Sequence, residues 1–402
     1  MSHTLATRKL AILGGEPAFK DPLHVGRPNI GNRALFMEYA NQMFDNRWLS
    51  NRGPFVKQFE QELGDFLGVK HCVAVCNATV ALEIAIRALG MQGEVIVPSF
   101  TFIATAHSLQ WQGITPVFCD IDPQTHNLDP RQVERLITPR TTGIIGVHLW
   151  GRPCDVDALQ EIADAKNLKL LFDAAHAFGC SHRGRMIGNF GDVEVLSFHA
   201  TKFFNTFEGG AITTNNDELA QRIRLMVNFG FAGYDNVIDI GTNGKMTEVC
   251  AAMGIVNLKS LDEFVEINRR NYRKYRQELD AIPGLSLIRY AESEKSNFQY
   301  MAVEVDSQIT GISRDALLQT LHAENVLARR YFWPGCHRME PYRSCFPNAY
   351  LTLPRTEEIA GRILVLPTGS TVGEKDIELI CEILRVAVAN AGTIHRRLSN
   401  NG

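Results

Sequence analysis

Residues 193–202 read Val-Glu-Val-Leu-Ser-Phe-His-Ala-Thr-Lys, and Glu-Gly-Gly follows at residues 208–210. Short apolar runs of this composition, bounded by turn residues, are typical of strands buried inside a sheet. Lys202 comes directly after the run and before the glycine turn. Most lysines lie on solvated surfaces, but this pattern predicts a lysine at the edge of a sheet.

Similar apolar runs recur upstream and alternate with amphipathic segments. The sequence predicts strands at residues 72–75, 94–97, 116–119, 143–149, 168–173 and 193–198, and helices at residues 79–89, 101–110 and 215–228. The last of these helices has a predicted capping box formed by Asn215 and Glu218. This alternation predicts an α/β fold in which helices cover a largely parallel sheet.

The pattern changes beyond about Met253. A long helix is predicted from there through Leu279, followed by short strands at residues 285–288 and 300–303 and helices at residues 314–322 and 375–388. We interpret this region as a smaller α+β domain. The predicted organisation is an N-terminal arm (residues 1–50) that packs on the large domain or on a partner, a large domain (51–253) and a small C-terminal domain (254–402).

Composition excludes several classes of protein. The chain has 402 residues, and its 41 basic and 44 acidic side chains give a net charge of -3. No run of like charge is long enough to follow a nucleic-acid backbone, so nucleic acid is not an expected partner. The 9 cysteines lack the paired spacing of zinc sites, so no metal site is predicted. No signal peptide and no apolar stretch of about eighteen residues is found, so a cytoplasmic protein without a membrane segment is expected.

Asp173 ends the apolar run 168–173, so its carboxylate is expected at the carboxyl end of the sheet, where open α/β folds bind ligands. Taken alone, it fits the N-cap of a helix equally well. Together with Lys202 it fits pyridoxal 5'-phosphate, because a lysine amine forms a Schiff base with the cofactor's aldehyde and a carboxylate keeps the pyridine nitrogen protonated. His176 is placed to reach the phenolic oxygen of the ring, with a core histidine bonded to the backbone as the alternative.

A phosphate group needs hydrogen-bond donors, and the turn at residues 76–79 offers free amides and the N-terminus of a helix. Ala78 and Thr79 are the predicted contacts, and Ser197 adds a hydroxyl group. Phe102 follows the second predicted strand, where an aromatic ring can stack on a pyridine; core packing is the alternative. No Gly-rich dinucleotide loop follows the first strand, which argues against a nicotinamide enzyme.

Together these motifs resemble the DegT/DnrJ/EryC1/StrS family of nucleotide-sugar aminotransferases. The resemblance runs through most of the chain and is carried by residues 48–54, 77–79, 98–102, 147–151, 173–176, 197–202 and 241–248. It implies the type I, aspartate aminotransferase fold, with pyridoxal phosphate bound to the large domain. Family members that replace the lysine by histidine are dehydratases, so Lys202 indicates a transaminase.

The resemblance also implies a role for each predicted site residue. Around the cofactor ring, Lys202 forms the covalent link, Asp173 meets the pyridine nitrogen, His176 lies beside the ring oxygen and Phe102 stacks on the ring. Around the phosphate, the implied ligands are Ala78, Thr79, Ser197 and, from the neighbouring subunit of a homodimer with shared active sites, Asn243. The implied substrate wall contains Arg330, Tyr331 and His337, although half of that segment could instead pack the small domain.

Two positions depart from the common family pattern. Asn77-Ala78-Thr79 stands where many members have Ser-Gly-Thr, and Trp150 stands where tyrosine is frequent. Neither change removes a group that the chemistry requires.

The version of the lysine motif in this chain resembles members that aminate C4 of a sugar. The resemblance therefore implies transfer of an amino group from L-glutamate to the C4 keto group of a dTDP-4-keto-6-deoxyhexose, in deoxyamino sugar biosynthesis. The alternatives are a 3-keto sugar or an inosose as acceptor, and a protein that binds the cofactor without turnover.

Overall fold

The computed structural model describes residues 9–399, in which short strands alternate with helices. The strands are β1 (Leu23–His24), β2 (His71–Val75), β3 (Glu94–Pro98), β4 (Thr115–Cys119), β5 (Thr141–Val147), β6 (Lys169–Asp173), β7 (Ser181–His182), β8 (Arg185–Met186), β9 (Val193–Ser197), β10 (Gly210–Thr214), β11 (Leu285–Leu287), β12 (Met301–Val305), β13 (Val326–Leu327) and β14 (Ile363–Leu366). The α-helices are α1 (Arg33–Asn46), α2 (Pro54–Leu67), α3 (Ala78–Ala88), α4 (Ile103–Gln110), α5 (Pro130–Leu136), α6 (Val156–Lys166), α7 (Asp217–Val227), α8 (Glu248–Lys259), α9 (Leu261–Leu279), α10 (Ser307–Thr310), α11 (Arg314–Ala323), α12 (Tyr342–Cys345), α13 (Pro354–Arg362), α14 (Glu374–Ala389) and α15 (Ala391–Ser399).

A seven-stranded sheet forms the centre of the larger unit, in the order β2-β10-β9-β6-β5-β3-β4. Its pairings are parallel except for the two made by β10. The predicted strands of this region are found to within two residues at each end, whereas β10 was not predicted. The predicted α/β fold with a mostly parallel sheet is confirmed.

Helices cover both faces of this sheet, and β6 shows how the sequence encodes that arrangement. Leu171 packs with side chains of α3 and α4, whereas its neighbours Leu170 and Phe172 pack with α5 and α6 on the opposite face. Successive residues of a strand point to opposite faces. A strand that is covered on both sides is therefore apolar throughout, which is why this one reads as a continuous apolar run.

The smaller unit is built on the antiparallel sheet β11-β12-β14. Its core joins side chains of α9, α11 and α14 with Leu10 and Phe19 from the N-terminal region. In addition, β1 pairs with β13, and two backbone amides of the N-terminal region donate to Glu324. Residues 9–24 therefore pack on the smaller unit, whereas α1 packs on α8. The exact domain limits stay a prediction.

Two helix predictions are wrong in detail. The long helix predicted through Leu279 is two helices that meet at Ser260, because α8 packs on α1 and α2 whereas α9 packs on α14 of the smaller unit. The N-cap of α7 is Asn216, whose side chain accepts a backbone amide of the first turn. Asn215 instead accepts a hydrogen bond of 3.0 Å from the amide of Lys70.

Residues 9–399 were also searched for membrane spans and metal sites. None of their helices has both the length and the apolar character needed to cross a membrane. No three His, Cys, Asp or Glu side chains among them come together as a metal site. Each of the 9 cysteines is a free thiol.

Candidate active site

The candidate site lies at the carboxyl ends of β6 and β9, which are neighbours in the sheet. Asp173 ends β6 and pairs in register with Val195 of β9. Ser197 ends β9, and Lys202 lies on the loop that follows. Strands that run parallel finish at the same edge of a sheet, so two motifs that are distant in sequence meet there.

Lys202 is half-buried, and its amine lies inside the protein. Its Nζ donates a hydrogen bond of 3.3 Å to the phenol oxygen of Tyr300. Removal from water lowers the pKa of the amine from its ordinary 10.5 to about 8, and the nearby Asp173 carboxylate opposes this shift. A lysine with such a pKa is partly deprotonated near neutral pH, which nucleophilic chemistry requires.

Asp173 is 5% exposed and is held by two donors. Its Oδ2 accepts from Thr105 Oγ1 at 2.8 Å, and its Oδ1 accepts from the amide of Ala175 at 3.1 Å. Burial is the main reason that its pKa is raised above the ordinary value. The residues directly after Asp173 form turns rather than a helix, so the helix N-cap alternative is wrong.

His176 is buried beside the lysine. Its Nδ1 accepts a hydrogen bond of 3.3 Å from the amide of Trp150, so a neutral ring carries its proton on Nε2. Burial and the positive charge of Lys202 lower the pKa of His176 well below its ordinary value, which keeps the ring neutral. The alternative of a core histidine bonded to the backbone thus describes Nδ1, while Nε2 carries the proton and has no hydrogen-bond partner within residues 9–399.

Phe102 lies at the N-cap position of α4 with 57% of its surface exposed. Its ring contacts the ring of Phe332 edge to face at 6.5 Å between centroids. Core packing does not explain a ring this exposed. Its predicted role of stacking on a cofactor ring stays a prediction.

The predicted phosphate ligands surround the N-terminus of α3, which begins at Ala78. Asn77 caps the helix by accepting from the amide of Val80 at 2.9 Å, so this asparagine has taken the capping role. The amides of Ala78 and Thr79 have no acceptor within the helix, because first-turn amides never do. They point outward from the positive end of the helix dipole, which favours an anion.

Gly210 makes room for this arrangement. It pairs with Ser197 on one side and with Val75 on the other, which brings the Ser197 position close to the start of α3. A Cβ atom on Gly210 would lie 2.7 Å from the Leu196 carbonyl oxygen and 3.0 Å from the Ala78 nitrogen. Only glycine fits this approach, which accounts for the Glu-Gly-Gly turn in the sequence.

Asn243 is exposed and belongs to a segment beside the start of α3. The carbonyl oxygen of Gly244 accepts from the amide of Cys76 at 2.8 Å, and Lys245 forms a bridge with Val75. The segment thus extends the sheet edge next to the predicted phosphate ligands. Contact between Asn243 and the phosphate of a neighbouring subunit stays a prediction, since it concerns a second chain.

The predicted substrate residues are split between surface and interior. Arg330 is exposed and pairs with Asp315 at 3.0 Å. Tyr331 is half-buried and stacks on Phe332, with ring centroids 5.1 Å apart. His337 is only 2% exposed.

Both ring nitrogens of His337 are used within the protein. Its Nδ1 lies 2.7 Å from Ser99 Oγ, and its Nε2 lies 2.5 Å from Glu357 Oε1. A substrate would have to displace one of these partners to bind the ring. The observed packing therefore favours a structural role, and substrate contact by His337 stays a prediction.

Three further residues of the site were assigned no role from the sequence. Tyr300 contacts Lys202, Thr105 contacts Asp173, and Phe332 stacks on His176 with ring centroids 5.8 Å apart. Tyr300 precedes a strand and Thr105 lies in a helix, and neither belongs to a motif, whereas Phe332 lies in the segment of the implied substrate wall but was assigned no role. Thr105 alone could have been found, since it lies in the first turn of a helix that follows a sheet strand.

The donors and acceptors of this site fit pyridoxal phosphate. A buried carboxylate, a neutral histidine with a free Nε2 and a lysine of lowered pKa converge at one end. Free helix amides and a close approach that only glycine permits lie at the other end. These are the groups that a protonated pyridine ring, its phenolic oxygen, an aldehyde and a phosphate need.

Comparison with known proteins gives the same assignment. A sequence model of the DegT/DnrJ/EryC1/StrS aminotransferase family matches residues 32–385. The chain is 40% identical to dTDP-4-amino-4,6-dideoxy-D-glucose transaminase of Shigella dysenteriae, over 90% of this chain and 98% of the relative. It is 36% identical to GDP-perosamine synthase of Caulobacter vibrioides, over 86% of this chain and 94% of the relative.

Among solved structures, DesI in the presence of its TDP-sugar product superposes with a TM-score of 0.93. That protein is 48% identical to this chain, and the match covers 97% of this chain and 99% of DesI. The predicted family, its fold, the enzyme class and the cofactor are thereby confirmed. The chain belongs to the DegT/DnrJ/EryC1/StrS aminotransferase family and is a pyridoxal phosphate-dependent aminotransferase.

Proposed function

We propose that this enzyme transfers the amino group of L-glutamate to C4 of a dTDP-4-keto-6-deoxyhexose. The observation that carries the proposal is the near full-length similarity to a dTDP-4-amino-4,6-dideoxy-D-glucose transaminase and to DesI, combined with an intact Lys202 site. The reaction is ping-pong: glutamate leaves as 2-oxoglutarate before the keto sugar accepts the nitrogen. Both half-reactions use the same residues.

Pyridoxal phosphate, when bound, supplies an electron sink that stabilises negative charge on the substrate's α-carbon. Asp173 is placed to hold a proton on the pyridine nitrogen, because its carboxylate is buried and fixed by Thr105. His176 is placed to donate from Nε2 to the phenolic oxygen. Ala78, Thr79 and Ser197 are proposed to bind the phosphate, with Asn243 of a second subunit.

Lys202 is proposed to move the proton that transamination must transfer between carbon atoms. General acid and base catalysis is most effective when the pKa of the group lies near the working pH. The lowered pKa of about 8 places Nζ in that range. One amine can therefore take up a proton and return it without a second titrating side chain.

Arg330 is proposed to bind the diphosphate of the nucleotide. Its guanidinium is exposed and pairs with an exposed carboxylate, Asp315, which a diphosphate can replace. Tyr331 lies between this arginine and the site, with its ring centroid 6.4 Å from that of Tyr300. It offers an aromatic surface for the apolar face of a deoxysugar.

A homodimer is also proposed, because large apolar side chains are exposed in three segments, namely α1, the turn that follows it and the loop 229–240. These side chains are Met37, Phe44, Trp48, Leu49, Phe229, Phe231, Tyr234, Val237, Ile238 and Ile240. Monomeric proteins rarely leave so much apolar surface in contact with water. The same loop leads directly into Asn243, which supports an active site shared between subunits.

A second candidate keeps the reaction and changes the nucleotide. Similarity to GDP-perosamine synthases of Caulobacter vibrioides and Escherichia coli, at 36% and 32% identity, favours testing a GDP-linked 4-keto sugar. Acceptors with a 3-keto group, or an inosose, remain the alternatives on the same site.

The test is to incubate the purified enzyme with L-glutamate and each candidate keto sugar, and to determine the configuration of the amino sugar formed. We expect dTDP-4-keto-6-deoxyglucose to give a 4-amino product together with 2-oxoglutarate. Lys202→Ala is expected to form no product while remaining folded. Amination of a 3-keto sugar or an inosose in preference to the 4-keto sugar would contradict the proposed substrate.

A further inference from the structure

The amine of Lys202 has one hydrogen-bond partner within residues 9–399, the phenol of Tyr300. The Nζ to Oη distance is 3.3 Å. Tyr300 is 7% exposed, and its ring lies 4.3 Å from that of His176 between centroids. The phenol therefore lies beside the amine and the histidine at the same time.

We propose that Tyr300 is a positioning residue for the proton transfer by Lys202, and that its hydroxyl group holds Nζ in place in both protonation states of the amine. The inference rests on the proposed transaminase function. It adds a residue that no motif of the sequence indicated. Tyr300 acts through Lys202 and needs no contact of its own with substrate.

The backbone around Tyr300 is anchored to the larger unit. The Asn297 side chain donates to the carbonyl oxygens of His176 and Phe178 at 2.8 and 3.0 Å. The Gln299 side chain accepts from the amide of Phe203, in the loop that follows Lys202, at 3.2 Å. These bonds attach the start of β12 to both sides of the lysine.

The phenol itself is also fixed. Trp150 packs against its ring edge to face, with centroids 5.4 Å apart. The single O–H of Tyr290 lies within hydrogen-bond distance of the backbone carbonyl oxygens of Trp150 and Tyr300, at 3.0 and 3.1 Å, which holds these two residues together. A side chain with so few accessible conformations can position the amine at little further cost in entropy.

A hydroxyl group suits a lysine that must change its protonation state. It accepts a hydrogen bond from an ammonium group and donates one to a neutral amine. The other titratable groups near Nζ are Asp173 and His176: the first cannot donate when ionised, and the second is assigned to the cofactor. Burial raises the pKa of Tyr300 well above its ordinary value, so the phenol stays neutral.

The test uses Tyr300→Phe in the full-length chain before the cofactor is added. The fraction of Lys202 acetylated by acetic anhydride is measured by peptide mass spectrometry as a function of pH. We expect a midpoint near pH 8 for the unmodified enzyme and a midpoint about one pH unit lower for Tyr300→Phe, because a charge-assisted hydrogen bond to the ammonium form is lost.

Tyr275→Phe is the matched control. It removes another buried phenol of the smaller unit, which donates to Pro367 O at 2.8 Å and does not contact Lys202. Its labelling midpoint is expected to match that of the unmodified enzyme. An equal shift in both variants would show a general change in structure and overturn the inference.

Steady-state kinetics supplies the second readout. Loss of positioning is expected to lower kcat by about tenfold or more while KM for the keto sugar is unchanged. An unchanged midpoint and an unchanged kcat in Tyr300→Phe would overturn the inference. If the unmodified enzyme shows no transamination but the midpoint still shifts, the proposed function fails while the contact between Tyr300 and the amine is upheld.

Discussion

Two regions contribute to the candidate site: the carboxyl ends of β6 and β9, and the segment 329–338. They differ in what fixes the direction of their side chains. At the strand ends, Asp173 and the loop carrying Lys202 meet because parallel neighbours finish at one edge. In the segment, residues a few positions apart point in opposite directions: Arg330 reaches solvent, whereas His337 is buried.

The difference teaches which roles can be assigned from position alone. A strand in a sheet fixes the direction of each side chain, so a carboxylate at its end has a defined place. An irregular segment has no such periodicity, and its side chains are directed by whatever they pack against. The following predictions test this contrast, starting with the largest expected effect.

Asp173→Asn is expected to lower kcat by about 10²-fold or more. A neutral amide cannot stabilise a proton on the pyridine nitrogen, although it keeps the size of the side chain and its contact with Thr105. The measurement is the rate of the glutamate half-reaction, followed through the absorbance of the bound cofactor. The result would sharpen the claim that a strand end places a functional carboxylate.

Asp120→Asn is the matched control, because Asp120 is also a buried carboxylate directly after a strand. It binds the amides of Arg355 and Thr356 at 2.9 and 2.8 Å, so it caps α13 instead of facing the cofactor site. The control is expected to lose about 1 kcal/mol of stability and to keep its kcat. An equal loss of kcat in both variants would contradict the claim that Asp173 acts on the cofactor whereas Asp120 only caps a helix.

Lys202→Met is expected to stabilise the cofactor-free protein by up to about 3 kcal/mol at pH 7. Burial lowers the pKa of the amine from 10.5 to about 8. Below pH 8 the folded state therefore contains a buried ammonium group that is more stable in water, and this destabilises the folded state relative to the unfolded chain. The unfolded chain binds more protons between pH 8 and 10.5, so this penalty disappears as the pH rises through that interval.

Urea unfolding at two pH values checks this prediction. The gain from Lys202→Met should fall to less than half by about pH 9.5. Lys169→Met, which replaces an exposed lysine at the start of β6, should show no pH-dependent gain. A gain for Lys202→Met that is the same at both pH values would mean that burial does not shift the pKa of this amine.

Ser99→Ala is expected to raise KM for the nucleotide sugar by about tenfold, as is His337→Ala, with cofactor retention unchanged. Ser99 Oγ lies 2.7 Å from Nδ1 of His337 and accepts a hydrogen bond of 3.1 Å from the His337 amide. Ser99 is itself buried, so we expect it to position the segment 329–338 without contacting the substrate. Steady-state KM for both variants is the measurement.

Thr320→Ala serves as the control for that pair, because it removes a buried hydroxyl group of α11 that donates to Ala316 O at 2.8 Å and makes no hydrogen bond to residues 329–338. Its KM is expected to stay unchanged. If KM rises for His337→Ala alone, His337 contacts the substrate directly. The segment 329–338 would then place a functional side chain in the site as the strand ends do, contrary to our inference.

The sequence allowed the strands of the large sheet and the meeting of Asp173 with Lys202 to be predicted, since both follow from apolar periodicity and parallel topology. It did not allow β10 to be predicted, because that strand begins at Gly210 of the Glu-Gly-Gly turn and glycine is a turn signal in the sequence. It also missed Tyr300, which reaches Lys202 across 98 positions of sequence through packing between the two units.

The break at Ser260 was missed for a related physical reason. No proline or glycine separates α8 from α9, and the chain turns at Ser260 because the two helices pack on different units. The burial of His337 likewise depends on two residues outside the segment 329–338. Ser99 lies 238 positions before His337, and Glu357 lies 20 positions after it. Local patterns predict elements, whereas contacts between distant elements decide which side chains a site receives.

The most direct test of the central claim is to treat the cofactor-loaded enzyme with borohydride, which makes the bond between a lysine amine and the cofactor permanent, and then to map the peptides by mass spectrometry. The account predicts that the added mass is found on the peptide containing Lys202. Added mass on another lysine, with Lys202 unmodified in fully loaded protein, would contradict it.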